Sequence, residues 1–260
     1  MSGPGSTGRE QVADAIVRCI DANDLARGAA LCRELNARHP DYAYGWYLAS
    51  FLARKARRYP EALTTVERAL RLSPTGRYAL HRIKCLLEMG QVAAARQAAA
   101  ELDGRDLGDS LLHGDFGTLL HQMGDQAGAL AQYDRALRFD PRHAGHHFNR
   151  AAVLRYLGDS AGAEAAFDAA IAINPDEYEA YNGRAQVRTQ TRDRNHVEQL
   201  RRAIARTRGS AGLVQLHYAL AKELEDLGDY DEAFASLAAG AGLKRRQMQY
   251  SVDTDLQILT

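Results

Sequence analysis

The sequence lacks charge of one sign: Lys+Arg and Asp+Glu both total 33. A balanced chain has no electrostatic footprint for a phosphate backbone, so a nucleic-acid partner is not expected. There is no long apolar run, and hence no expected membrane span. Residues 1–20 do not read as a signal peptide, because 1–8 are small and polar and Val12–Ile20 is broken by Asp14 and Arg18. Cysteine is scarce, and Cys19, Cys32 and Cys85 have spacings that fit no zinc or redox pattern. Each is expected to be a small buried hydrophobe in a cytoplasmic protein. A nucleophile elbow, a metalloprotease helix motif and a phosphate-binding lysine loop are all missing, so no catalytic residue is assigned. β-Branched residues are few and alanine is abundant, which favours helix.

What is present is self-similarity. The tetrads Met123-Gly124-Asp125-Gln126 and Leu157-Gly158-Asp159-Ser160 stand 34 residues apart. Met89-Gly90-Gln91-Val92 lies 34 residues before the first, and Leu227-Gly228-Asp229-Tyr230 lies 70 after the second. Six residues into each comes an alanine: Ala95, Ala129, Ala163 and Ala233. Prolines follow the same stride, Pro40 to Pro74 and Pro141 to Pro175.

Antiparallel helix pairs account for these residue types. Glycine at the turn takes the left-handed conformation that ends the first helix, and the neighbouring Asp helps start the second. Where helix axes approach to about 8–10 Å, only small side chains fit, which explains alanine at the crossings. Tyr133, Leu154 and Phe167 fill the wider gaps, and the proline stops the second helix.

This pattern resembles the tetratricopeptide repeat family, whose small residues correspond to Ala151, Ala163 and Ala170 in the unit 144–177. The resemblance implies an all-α, right-handed α-solenoid of about seven helix hairpins. We read a tail at 1–8, repeats at 9–42, 43–75, 76–109, 110–143, 144–177, 178–213 and 214–247, and a linker or the start of a further domain at 248–260. The first repeat carries Gly28 and Leu35 at small-residue positions, as a loosely packed end cap would. The sixth has Arg188 where an apolar residue belongs and a polar run through Arg194, so a loose pair with a kink or mobile segment is expected there.

The C-terminal end also resembles the repeat region of bacterial proteins that join such repeats to a sulfotransferase domain. The similarity rests on Asp229–Phe234, Leu237, Gly240, Leu243-Lys244-Arg245 and Tyr250-Ser251-Val252-Asp253, although Ala241 stands where that family has Asn. It implies a catalytic domain beyond Thr260 that binds the sulfate donor PAPS. None of that domain's motif positions falls in 1–260, so no cofactor is assigned to this chain. Leu256, Ile258 and Leu259 make the end apolar, where a solenoid cap is normally polar. An adjoining domain would cover them, or the end folds back on the seventh repeat.

Other patterns read as structural. Gly3–Gly8 spells G-x-G-x-x-G without the preceding strand that motif requires, and is read as a flexible tail. His143, His146 and His147 lack a second cluster to complete a metal shell, so one packed histidine, His147, and two solvated ones are expected. Glu223, Glu225 and Asp226 are read as solvated surface, as are the basic stretches 54–58, 192–208 and 244–246.

Candidate binding residues follow from the repeat frame, which assigns the inward positions of each first helix. They are Tyr44, Tyr47, Phe51 and Arg54, then Arg77, His81 and Lys84, then Thr118 and His121. The series continues with Phe148, Asn149 and Arg155, then Asn182 and Gln186, and ends with Tyr218 and Lys222. Aromatic and Arg side chains dominate binding hot spots, and Asn149 and Asn182 have amides suited to an extended peptide backbone. The expected partner is a peptide or protein segment in the groove, or an adjoining catalytic domain. Some family members hold a C-terminal carboxylate in a Lys/Asn clamp. Asn149 matches one clamp position, but the lysines do not line up.

Overall fold

The structure, a computed structural model, describes residues 8–247, and every regular element in it is helical. Residues 1–7 of the tail and the apolar end at 248–260 lie outside the described residues, while Gly8, read as part of the tail, opens the first helix. Two compact units divide at Asp125/Gln126. The first carries α1 (Gly8–Asp21), α2 (Leu25–Arg38), α3 (Ala43–Lys55), α4 (Tyr59–Leu72), α5 (Gly76–Glu88), α6 (Val92–Ala100) and α7 (Ser110–Gln122). The second carries α8 (Gln126–Phe139), α9 (Ala144–Tyr156), α10 (Ser160–Ile173), α11 (Tyr178–Ala185), α12 (Val197–Arg206), α13 (Ser210–Asp226) and α14 (Tyr230–Gln247).

Glycine at the turn does what the spacing requires. Gly90, Gly124, Gly158 and Gly228 all have φ between 72° and 84°. At each, the glycine N–H and the next N–H return to carbonyls of the preceding helix, as Gly158 to Arg155 and Asp159 to Leu154. The two N-terminal hairpins make the same turn without glycine: Asn23 and Arg57 adopt φ of 56° and 58°, with the same return bonds to Ile20 and Cys19 and to Arg54 and Ala53. Asp24 and Asp159 cap the following helices by accepting from the N–H groups of Arg27 and Gly162. Pro40, Pro74, Pro141 and Pro175 each stand just past the end of a helix.

The crossings are dry and close. Ala62, Ala69, Ala95, Ala129, Ala136, Ala151, Ala163 and Ala170 are completely buried. Ser50 takes the small-residue place in the second hairpin and satisfies its hydroxyl by donating to the Ala62 carbonyl at 2.6 Å. Tyr133, Leu154 and Phe167 fill the gaps between alanines and are buried. All three cysteines are free and buried, and burial pushes the thiols of Cys32 and Cys85 up to about 12 and 11.

Two expectations are corrected. The first repeat is not loose: Leu35 is buried, and Gly28 lies so close to Leu52 that an added Cβ would stand 3.1 Å from it. The sixth repeat does depart from the pattern, with α11 shortened and an irregular segment at 186–196 containing one isolated antiparallel bridge, Thr191 to Arg194. That segment is pinned rather than slack. Arg188 reaches Glu164 at 2.9 Å, Arg194 reaches the same carboxylate, Gln190 donates its N–H to Asp226 at 2.7 Å, and Arg192 pairs with Asp229 at 3.1 Å. An arginine in an apolar slot is tolerated because a buried carboxylate is delivered to it.

Candidate functional site

In the first unit, the spacing of Tyr44, Tyr47, Phe51 and Arg54 puts all four on one face of α3. The rings of Tyr44 and Tyr47 lie 6.0 Å apart, and Phe51 follows at 6.4 Å from Tyr47. On α5, Arg77, His81 and Lys84 share one face by the same rule. The His81 ring enters the aromatic group, 5.2 Å from Tyr47 and 5.8 Å from Phe51, nearly parallel to the latter. Tyr47 also stacks on Tyr78 at 4.9 Å. Helix α7 supplies the third wall with Leu112, Asp115, Thr118 and Leu119, enclosing a groove of about 150 Å³.

The electrostatics of this groove are uneven. Arg54 lies over the Phe51 ring at 5.3 Å and is paired with Glu88 at 2.7 Å. Arg77 and Lys84 are exposed and form no hydrogen bond or ion pair with any described residue. Asp115 is the one carboxylate lining the groove, and partial burial raises it above its ordinary value. Burial, followed by the charge of Arg54 and then Lys84, pulls His81 from 6.5 down to about 4, so its ring is neutral near pH 7. Burial likewise raises Tyr47 and Tyr78.

The repeat frame brought together Tyr47, Phe51, Arg54, Arg77, His81, Lys84 and Thr118, which all line the groove. Tyr44 stands beside it against Tyr47, and His121, half-buried in the last turn of α7, does not line it. Asp115 was missed, although a signal existed: it stands 34 residues after His81, at the same repeat position.

The second unit uses its corresponding positions differently. Phe148 is half-buried and packs edge-on against the core residue Phe167 at 5.8 Å. Asn182 donates to Gln215 at 2.9 Å and accepts from Gln186 at 3.0 Å, so its amide is engaged on both sides. Lys222 donates to the Arg188 carbonyl at 3.0 Å and pairs with Asp226. Tyr218 lies against Gly240. Asn149 is half-buried and Arg155 exposed.

Behind this face sits a buried charge cluster that the sequence reading placed on the surface. Glu223 is 0% exposed, accepting from the His196 backbone N–H at 2.6 Å and facing the His196 ring nitrogen Nδ1 at 3.0 Å. Burial alone would raise Glu164, yet Arg188, Arg194 and His196 together hold its carboxyl below the ordinary value. Glu223 and Asp226 are therefore latch residues, while Glu225 is exposed as expected. Arg192 and Arg194 reach Asp229 and Glu164 while staying solvated as expected, their side chains 73% and 66% exposed.

The histidine cluster is also reassigned. His146 is the buried one, stacked on His143 at 3.7 Å, and His147 is half-buried with its ring nitrogen Nε2 2.9 Å from the Pro141 carbonyl. His143 caps α9 by accepting from the His146 N–H. Among the described residues, no three His, Cys, Asp or Glu side chains gather as metal ligands would. No helix among them is long and apolar enough to cross a membrane.

Tetratricopeptide repeat family models match residues 20–76, 49–110, 115–177 and 149–193, and another matches 214–246. No curated protein matches the sequence. Among solved structures, the C-terminal part of a TPR repeat-containing protein from Cytophaga hutchinsonii is 15% identical, covering 87% of this chain and 94% of its own, with a TM-score of 0.63. The pilF protein of Pseudomonas aeruginosa is 16% identical, covering 98% and 100%, with a TM-score of 0.58. YrrB, a TPR protein with an unusual peptide-binding site, is 24% identical over 65% of this chain and 88% of its own, with a TM-score of 0.51. With the model matches spanning most of its length and its helices paired by the same glycine turns, the chain belongs to the tetratricopeptide repeat family.

Proposed function

We propose that the first unit is a protein-interaction module that holds an extended peptide or partner segment across α3, α5 and α7. One observation carries this reading: half-buried aromatic rings stand beside two exposed cations, Arg77 and Lys84, that form no ion pair with any described residue. A folded protein gains little from leaving such a combination open, whereas rings and arginine at the centre of a contact supply most of its binding energy. Peptide binding by the TPR protein YrrB is in keeping with the reading. The chain itself then carries no catalysis and works in the cytoplasm, where its three free cysteines stay reduced. The test is selection of displayed random peptides on the protein, followed by titration. Selected peptides should lose binding to a Tyr47→Ala/Phe51→Ala variant, and undiminished binding would remove the groove from consideration.

A second reading is supported by α14. Tyr230, Phe234 and Leu237 fall on one face of that helix and are 68%, 73% and 49% exposed. An unpartnered apolar stripe of this kind marks a docking face, in the region that resembles sulfotransferase-linked repeats. On this reading the chain is the substrate-positioning arm of a PAPS-dependent sulfotransferase, with the stripe facing the catalytic domain. Sequencing the gene past the Thr260 codon decides it: a continuing frame with a phosphate-binding loop supports the arm, and an immediate stop removes it.

A further inference from the structure

The last helix of the second unit leaves open a face that earlier helices in its register bury. Counted from the turn glycine, Leu237 of α14 stands where Phe167 stands in α10 and Tyr133 in α8. Both of those side chains are buried. The following helix packs on each, α9 on α8 and α11 on α10. At the second of these contacts a Cβ added at Gly183 would stand 2.5 Å from the Phe167 ring. Short loops make such a covering helix run antiparallel to the one it covers. On α14 the same face presents Tyr230, Phe234, Leu237 and Ala241, all exposed. It is shaped for an antiparallel helix.

Charge selects which helix. Asp231 flanks the stripe one turn before Phe234, and Arg245 flanks it on the same side one turn after Ala241. Both are exposed, and neither forms a hydrogen bond or ion pair with any described residue. The acids next to Asp231 are engaged: Glu232 holds Arg201 at 2.6 Å and Asp229 holds Arg192 at 3.1 Å. A matching helix is therefore basic at one end, acidic at the other and apolar between, and α14 turned end for end is such a helix. Setting Asp231 opposite Arg245 places a two-fold axis beside residue 238. Leu237 then lies near its own copy, and Phe234 seats against Ala241, a large side chain on a small one. A parallel alignment would set Asp231 against Asp231 and Arg245 against Arg245.

We infer that α14 is a self-association face: two copies of the chain pair through it, antiparallel about a two-fold axis, with the apolar stripes in the middle and Asp231 against Arg245 of the partner subunit. An aromatic ring covers about 150–250 Å² when buried, so two such stripes make an interface of about 1,000 Å², enough for a weak, specific dimer. The stripe that the second reading above turns towards a catalytic domain is here closed by another copy.

Sedimentation equilibrium of the full chain tests the pairing. The protein should pass from monomer to dimer across the micromolar range, and Phe234→Glu, at an exposed position, should leave it monomeric with its helical signal unchanged. Asp231→Arg and Arg245→Asp should each raise the dissociation constant by at least about tenfold, because each sets like charges together at both ends of the joint. An equimolar mixture of those two variants should dimerise again, since each chain then brings the sign that the other lacks. Misfolding cannot produce that recovery. A chain that is monomeric at every concentration overturns the inference and leaves the stripe to the catalytic domain of the second reading. A dimer that survives Phe234→Glu, or a mixture no tighter than its two components, overturns it as well.

Discussion

The two units put one repeat pattern to different ends. In the first unit, the α3 and α5 faces carry rings packed on rings, with two exposed cations that form no ion pair at the edge. In the second, the corresponding faces are closed by their own polar side chains: Asn182 is held by Gln215 and Gln186, and Lys222 by Arg188 and Asp226. An engaged amide or ammonium must break a bond before it meets a partner, whereas an idle one need only shed water. On the function proposed above, the same positions are a binding face in one unit and internal scaffolding in the other. The irregular segment at 186–196 accounts for the difference, because it brings Arg188 and His196 onto Glu164 and Glu223.

Breaking that latch should have the largest effect. Glu164→Ala strips the carboxylate shared by Arg188 and Arg194 and leaves Arg188 mostly buried with no counter-charge. Loss of one member of a buried ion pair costs about 3–5 kcal/mol, so urea unfolding should show the second unit destabilised by that order while peptide binding to the first is unchanged. Acid should act on both units with the sign set by depressed pKa values. His81 binds its proton only near pH 4 when folded but near 6.5 when unfolded, so its contribution is present above 6.5 and is lost as pH falls towards 4. The shift amounts to about 3 kcal/mol, and His81→Phe should flatten the stability–pH curve across that window. Glu164, also depressed, should add a further loss below its unfolded value of 4.5.

Removing the rings comes next. Tyr47→Ala/Phe51→Ala should cost about 2 kcal/mol or more in peptide affinity, measured by fluorescence titration with a display-selected peptide. The smallest effect is a gain. Arg57 holds a left-handed turn that glycine holds in four other hairpins, so Arg57→Gly should stabilise the first unit by about 1 kcal/mol. A thermal melt that does not rise would contradict a backbone penalty at Arg57, since glycine keeps the same backbone return bonds.

Much of the architecture was legible in the residues because local rules govern it. Glycine marks the turns, alanine the crossings and proline the helix ends, and each acts within a few residues of itself. His81 and the α3 rings were legible for the same reason, as positions in a regular frame. Asp115 required reading across repeats, since nothing in its own neighbourhood marks it. The latch was illegible. Glu223 looks solvated beside Glu225 and Asp226, and its burial depends on His196, which reaches it from 27 residues away. Glu164 likewise meets Arg188 and Arg194 from 24 and 30 residues away, through a segment with no periodicity of its own. Polar pairing at such range leaves no pattern in sequence, which is why the sixth repeat read as slack when its side chains fasten it.

The division of labour itself can be tested by charge reversal on each face. A display-selected peptide is titrated against Arg77→Glu/Lys84→Glu, in the first unit, and against Arg155→Glu, an exposed inner position of the second. Binding should fall by at least about tenfold in the former and stay within experimental error in the latter. Equal losses in both, or a loss confined to Arg155→Glu, would contradict the assignment of the first unit as the binding face.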